Sequence, residues 1–246
     1  MTKKIQKNER GVAHALLAVL VIAVIAVVGL VAWKVNDNRP TLTTGINKDT
    51  QDKCMTAVND KQFCKFAGVF ANIGDYKVTV NSTDKDGVSN LELANASNGN
   101  SSIVIKANGQ ERGNIVVYSG VTYYKDYTDG KWFKFGPNDA NKPQTVDLKK
   151  EFLKADFKGD DGQKLTYKNL GTEKCGNLNC FKYQTTDPKK PDETDFLWFD
   201  TKDYLLRRVT VSDSKAKTSA EMIVTYGSVV ITLPSPTKDV PAAAAQ

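Results

Sequence analysis

Residues Ala15–Trp33 are nineteen consecutive apolar or small residues, and no other feature limits so strongly what the chain can become. At 1.5 Å per residue a helix of that length measures about 28 Å, the thickness of a bilayer's hydrocarbon core. A cleavable signal has an apolar run of only about 7–15 residues and a small-x-small processing site. Here the run ends Leu30-Val31-Ala32-Trp33, a poor processing site, and the first cysteine is Cys54, so no lipobox follows. The expectation is an uncleaved transmembrane signal anchor over residues 12–35. Lys3, Lys4, Lys7 and Arg10 precede it against Glu9 alone. That bias makes residues 1–11 a cytoplasmic basic tail and places the chain from Asn36 onward outside the cell membrane.

The net charge of +6 loses its interest once it is divided along the chain. Residues 1–39 carry six basic and two acidic residues, leaving 28 basic against 26 acidic in the remainder. A nucleic-acid-binding domain needs a concentrated basic surface, and the ectodomain gives no sign of one. Nucleic acid is therefore excluded as an expected partner.

Four cysteines fall into two close pairs, Cys54/Cys64 and Cys175/Cys180, as suits an oxidising compartment. Cys175-Gly-Asn-Leu-Asn-Cys180 places a turn between two candidate strands, so the thiols can face each other across a hairpin. On one continuous helix Cys54 and Cys64 would stand about 15 Å apart, too far to bond. If they pair, the helix must break, and Asn59-Asp60 is the natural place. A four-cysteine zinc site is the competing reading, but C-x4-C with C-x9-C is not a standard zinc spacing.

Residues 36–50 are polar, hold Pro40 and Gly45, and read as a linker of about 20 Å reach. Residues 51–234 read as one folded domain, and 235–246, rich in Pro and Ala, as a disordered tail. The domain opens helically, because Phe63, Phe66, Phe70 and Ile73 recur at i, i+3, i+7 and i+10, with Gly74-Asp75 ending the helix. From Tyr76 the period changes to two. Asp86-Gly87, Asn98-Gly99, Asn108-Gly109, Ser119-Gly120 and Asp129-Gly130 punctuate the strands at hairpin spacing. One helix is expected at Asp147–Phe157, after which strands resume at 164–170, 181–186, 195–200, 205–211, 220–226 and 228–233. About eleven or twelve antiparallel strands cannot stay flat. The fold class is mainly β (α+β): a strongly curved antiparallel sheet or incomplete β-barrel, helices across its concave face, plus the membrane helix.

This order of elements resembles the bacterial lipoprotein-carrier superfamily, the LolA-like and LppX-like proteins. The resemblance rests on Thr194-Asp-Phe-Leu-Trp-Phe-Asp-Thr-Lys-Asp-Tyr-Leu-Leu-Arg-Arg-Val209 and on the closing Val224–Pro234, which is similar to that family's last hairpin. It spans about residues 50–234. The resemblance implies an apolar space between sheet and helices that takes the acyl chain of a lipid or lipoprotein. The protein anchor and the paired cysteines depart from the family's pattern, and fold alone does not establish function.

Catalysis finds little support. The lone histidine, His14, lies at the edge of the anchor, so the ectodomain has no histidine for a Ser-His or Cys-His nucleophile. No G-x-S-x-G, Walker loop or H-E-x-x-H occurs, and no catalytic residue, metal site or cofactor is expected. The carboxylates Asp160-Asp161 and Asp192-Glu193-Asp195 sit among Gly, Lys and Pro and read as solvated turns. The aromatics are the lipid-binding candidates: Phe63, Phe66 and Phe70 as cavity wall or plain core, Trp132 and Trp198 at a cavity mouth or in the core. Tyr123, Tyr124 and Tyr127 fit either sugar stacking or a two-sided strand. Adjacent Arg207 and Arg208 must point to opposite faces of their strand.

Three functions fit these residues. The first is a membrane-anchored, non-enzymatic binding protein holding an acyl chain or lipidated partner. The second is a protein-interaction or sensor module without a lipid ligand. A pilin-like subunit is the third, weakened because no acid follows Gly11-Val12 inside the helix.

Overall fold

The computed structural model describes residues 45–136, 143, 157 and 164–240. The anchor, the start of the linker, the Asp147–Phe157 helix apart from Phe157, Asp160-Asp161 and residues 241–246 lie outside them. Among the described residues no helix is long and apolar enough to cross a membrane.

Two helices open the domain. Helix α1 spans Lys48–Ala57, with the Asn47 side chain accepting from Thr50 N at its start, so the fold begins inside the stretch expected to be linker. Helix α2 spans Lys61–Phe70 and is capped by Asp60, whose carboxylate accepts from Gln62 N and Phe63 N. Between them Asn59 takes a left-handed φ of 59°, the break that the cysteines required. Cys54 and Cys64 are bonded with Cα atoms 5.2 Å apart, and Cys175 and Cys180 with theirs 5.9 Å apart. With both pairs bonded no cysteine is free, so the four thiolates of the competing zinc site are not present. Gly68 is where α2 meets the chain ahead of α1. A Cβ there would stand 2.7 Å from Ile46 Cγ2 and 3.0 Å from the Asn47 carbonyl. Ile73 lies past the end of α2 rather than on it.

Twelve strands form one open sheet: β1 Tyr76–Asp84, β2 Gly87–Asn95, β3 Ser101–Ala107, β4 Gln110–Tyr118, β5 Val121–Lys125, β6 Trp132–Phe135, β7 Thr166–Cys175, β8 Leu178–Thr186, β9 Glu193–Asp200, β10 Leu206–Asp213, β11 Thr218–Tyr226 and β12 Thr237–Asp239. Their spatial order is β12-β6-β5-β4-β3-β2-β1-β11-β10-β9-β8-β7. Every expected Gly dipeptide falls in a turn. At Asn108-Gly109 and Ser119-Gly120 both residues have positive φ, the geometry of a two-residue hairpin turn.

The closing hairpin does not form. Both edges of β11 are taken, by β1 and β10, so residues 228–233 have no edge to pair with. Gly227, at φ +152°, turns the chain away instead. The segment then runs to β6, six strand spacings or about 29 Å along the sheet. There Thr237–Asp239 pairs parallel with Trp132–Lys134, so part of the expected disordered tail is an edge strand.

Candidate functional site

Strand alternation assigns every side chain to one of two faces. Tyr76, Val78 and Val80 are buried on one. The register carries that inner face to Leu91, Leu93, Ile103, Ile105 and Ile115 in one direction. In the other it reaches Met222, Val224, Val209, Leu197, Tyr183 and Phe199.

Helix α2 lies against the β7–β9 side of this face. Phe66 stacks on Phe199 with ring centroids 4.6 Å apart. Phe63 meets Tyr167 at 4.3 Å, Tyr183 at 5.5 Å and Phe157 at 6.2 Å. The Tyr183 hydroxyl donates to the Asp60 carboxylate at 2.9 Å, so the residue that caps α2 also fastens it to β8. Burial and the Asp60 charge raise the Tyr183 pKa. Lys65 lies over the Tyr204 ring at 4.1 Å, and Asn169 donates to Gln62 at 2.8 Å. Phe63, Phe66 and Phe70 are all fully buried within this contact.

The opposite half of the inner face is aliphatic on β2–β4. Leu93, Ile103 and Ile115 are buried there, whereas Leu91, Ile105 and Val117 are only half-buried. Tyr124 and Phe133 continue the surface toward the β12 edge.

The two tryptophans do not join the phenylalanines. Trp132 pairs with Lys125 and Trp198 with Lys182 and Arg208, all on the outer face. Trp198 is only 3% exposed, yet its cover is polar. Arg208 lies 4.7 Å and Lys182 5.0 Å from its ring, and its indole N–H donates to Glu173. Arg208 also pairs with Glu221 at 2.7 Å. Arg207 reaches the other way, to the Tyr226 ring at 5.2 Å and to Asp200 at 3.6 Å. The tyrosines share no platform either: Tyr123 faces outward, Tyr124 inward, and Tyr127 donates to Glu111.

One inward group was misread from sequence. Asp195 is not in a solvated turn; it opens the buried part of β9 and is 5% exposed. Burial first, and the adjacent Glu193 charge second, push its pKa up to about 8. Glu193 is raised by burial as well, and the two carboxyls hydrogen-bond each other. A usable signal was there: Leu197 and Phe199 are inward by their apolar character, and period two puts Asp195 in step with them.

No family model matches the chain, and no curated protein matches it. Among solved structures it is similar to the lipoprotein LppX of Mycobacterium tuberculosis, at 11% identity and TM-score 0.43, covering 75% of this chain and 98% of that one. It is similar to a LolA superfamily protein of Nitrosomonas europaea, at 10% identity and TM-score 0.27, covering 82% and 98%. A third is MucB in the MucA/MucB complex of Pseudomonas aeruginosa, at 12% identity and TM-score 0.39, covering 74% of this chain and 59% of that one. At these identities and scores the likeness says nothing about ligand or partner. The chemistry of the inner face has to speak for itself.

Among the described residues no group of three or more His, Cys, Asp or Glu is placed to hold a metal ion. What the inner face offers is apolar area that is partly open at one end and a buried acid at the other.

Proposed function

We propose that this chain is a membrane-anchored, extracytoplasmic binding protein without catalytic activity, and that the aliphatic half of its inner face holds an acyl chain of a lipid or lipidated partner. The observation that carries the reading is the contrast across the sheet. Ring stacking closes the β7–β9 side against α2, while Leu91, Ile105 and Val117 on the same face keep part of their surface uncovered. Each methylene buried there contributes about 0.8 kcal/mol, so a short stretch of chain suffices for binding. The anchor expected at residues 12–35 would keep the face within reach of the bilayer.

The test is to extract the full chain from membranes and weigh it by native mass spectrometry. Bound lipid is expected, and Ile105→Asp should remove it while the protein stays folded. Repeated absence of lipid from the wild-type chain would overturn the reading.

A protein-interaction role draws on a different observation. Among the described residues strand β7 is an unpaired edge ten residues long, nearly all of it exposed, with Leu170 on it and Leu178 just across the hairpin also exposed. Such an edge accepts an added strand. Its bulge at Asn169/Thr172 and its lysines Lys168 and Lys174 work against that use, so the lipid reading is preferred.

A further inference from the structure

The register traces a row of inward side chains across eight strands, one step beyond the core: Ala107, Ser89, Ser82, Ala220, Val211, Asp195, Thr185 and Tyr167. Its first five members are small, and its last three are polar. Thr185 stands directly opposite Asp195, and Tyr167 directly opposite Thr185. Thr185 is 6% exposed, and among the described residues its Oγ1 has no hydrogen-bond partner. Asp195 Oδ1 and the Tyr167 hydroxyl are likewise buried and without a partner among them. Three residues at facing register positions on one face therefore carry oxygens that lack the bonds burial normally demands.

The surrounding field shows what kind of group they lack. The charges that reach Asp195 are those of Glu193, Asp187 and Lys190, and Asp213 acts on Glu193 in addition. Among the charges of described residues that act on Asp195, two acids oppose one base, which favours a cation there. A primary ammonium brings one positive charge and three N–H donors, which matches one carboxylate oxygen and two hydroxyls. Half-buried Glu193, at the start of β9, bonds the Asp195 carboxyl.

We propose that Asp195, Thr185 and Tyr167, with Glu193 bonded to Asp195, bind the primary ammonium group of an amine-bearing amphiphile. The proposal rests on the inner-face reading above for the ligand's apolar tail; the head is argued from the cluster alone. Binding also moves a proton. With the Asp195 pKa at about 8, the carboxyl is mostly protonated at neutral pH. An ammonium that replaces that proton releases it to the buffer.

The test uses the full chain in phosphatidylcholine nanodiscs, with empty nanodiscs as reference, titrated calorimetrically at pH 7 in two buffers of different ionisation enthalpy. The probes are hexylamine, hexan-1-ol and ethylamine. Hexylamine should bind about tenfold tighter than hexan-1-ol, with up to one proton released. Asp195→Asn should abolish the release and the tenfold preference while leaving hexan-1-ol unchanged. Equal affinity of the two hexyl probes, or amine binding without proton release, overturns the ammonium site and leaves the acyl reading standing. Proton release by ethylamine with no gain from the hexyl tail supports the ammonium site, and the acyl reading is then decided by whether lipid is bound in the native mass spectrum. If the Asn variant does not fold, the Asp195 carboxyl carbon can be followed by NMR in the wild-type chain. Ethylamine should lower its titration midpoint, and an unmoved midpoint overturns the proposal.

Discussion

The two halves of the inner face are made of different material and are closed to different degrees. On the β7–β9 side, rings meet rings: Phe63, Phe66, Tyr167, Tyr183 and Phe199 interlock beneath a helix held by a disulfide and by the Asp60–Tyr183 bond. On the β2–β4 side, branched aliphatic side chains alternate along the strands and several remain half-exposed. Aromatic side chains bury large areas with few rotatable bonds, so one short helix can seal a sheet with them. Aliphatic surface left partly open suits a flexible apolar guest. Stability is therefore expected to reside in the first half and binding in the second.

The largest effect should come from the sealed half. Phe66→Ala removes a ring stacked at 4.6 Å inside a fully buried cluster and should cost about 3–5 kcal/mol in denaturant unfolding. Ile105→Ala, half-buried on the open side, should cost only about 1 kcal/mol and should weaken lipid retention instead. Comparable losses at the two positions would abolish the distinction between the halves.

The buried acid gives the sealed half a pH dependence. The folded-state pKa of Asp195, about 8, is above the unfolded value, so folding takes up protons between these limits. The stability this confers is fully present below about pH 4 and is lost as pH rises through 8. Glu193, raised in the same direction, adds to this decline in stability between pH 4 and 9. Asp195→Asn should flatten that decline and raise the Tm at pH 8.5. A wild-type Tm that does not fall over this range contradicts the assignment.

The disulfides should differ in the same sense. By the chain-entropy estimate each contributes about 2–3 kcal/mol. Cys54–Cys64 is fully buried beside α2, whereas Cys175–Cys180 closes an exposed edge hairpin. Replacing Cys54 and Cys64 by Ser should therefore lower the Tm more than the same change at Cys175 and Cys180. Tyr183→Phe should follow at about 1–2 kcal/mol, because it leaves the α2 cap without its bond to the sheet.

The smallest effect belongs to the edge of the open half. Lys238 bonds Asp126 and Asp129, joining β12 to the β5–β6 loop. The Lys238 hydrogen bond, helped by Thr128, lowers the Asp126 pKa to about 2. A lowered carboxylate pKa stabilises above the unfolded value and ceases to do so as pH falls, here from about 4 through about 2. Strand β12 should come away first in that range. Trp132, whose N–H bonds the Pro236 carbonyl, reports it through its fluorescence.

Local chemistry made much of this architecture legible from the residues. The Gly dipeptides set the hairpins, the Phe63/Phe66/Phe70 spacing set α2, and the distance limit on Cys54–Cys64 placed the break at Asn59-Asp60. These features depend on φ preference, helical period and reach, all of which act over a few residues. Long-range placement decided the rest. Whether Trp198 points inward or outward depends on the parity of its strand relative to Leu197 and Phe199, and its cover of Lys182 and Arg208 comes from two different strands. Residues 228–233 carry a strand-like pattern but find both edges of β11 occupied. Asp195 reads as a loop acid until the register sets it on the inner face beside Thr185 and Tyr167, supplied by β8 and β7. Backbone preferences are properties of neighbouring residues, whereas burial, pairing and a shifted pKa are properties of the surfaces that folding brings together.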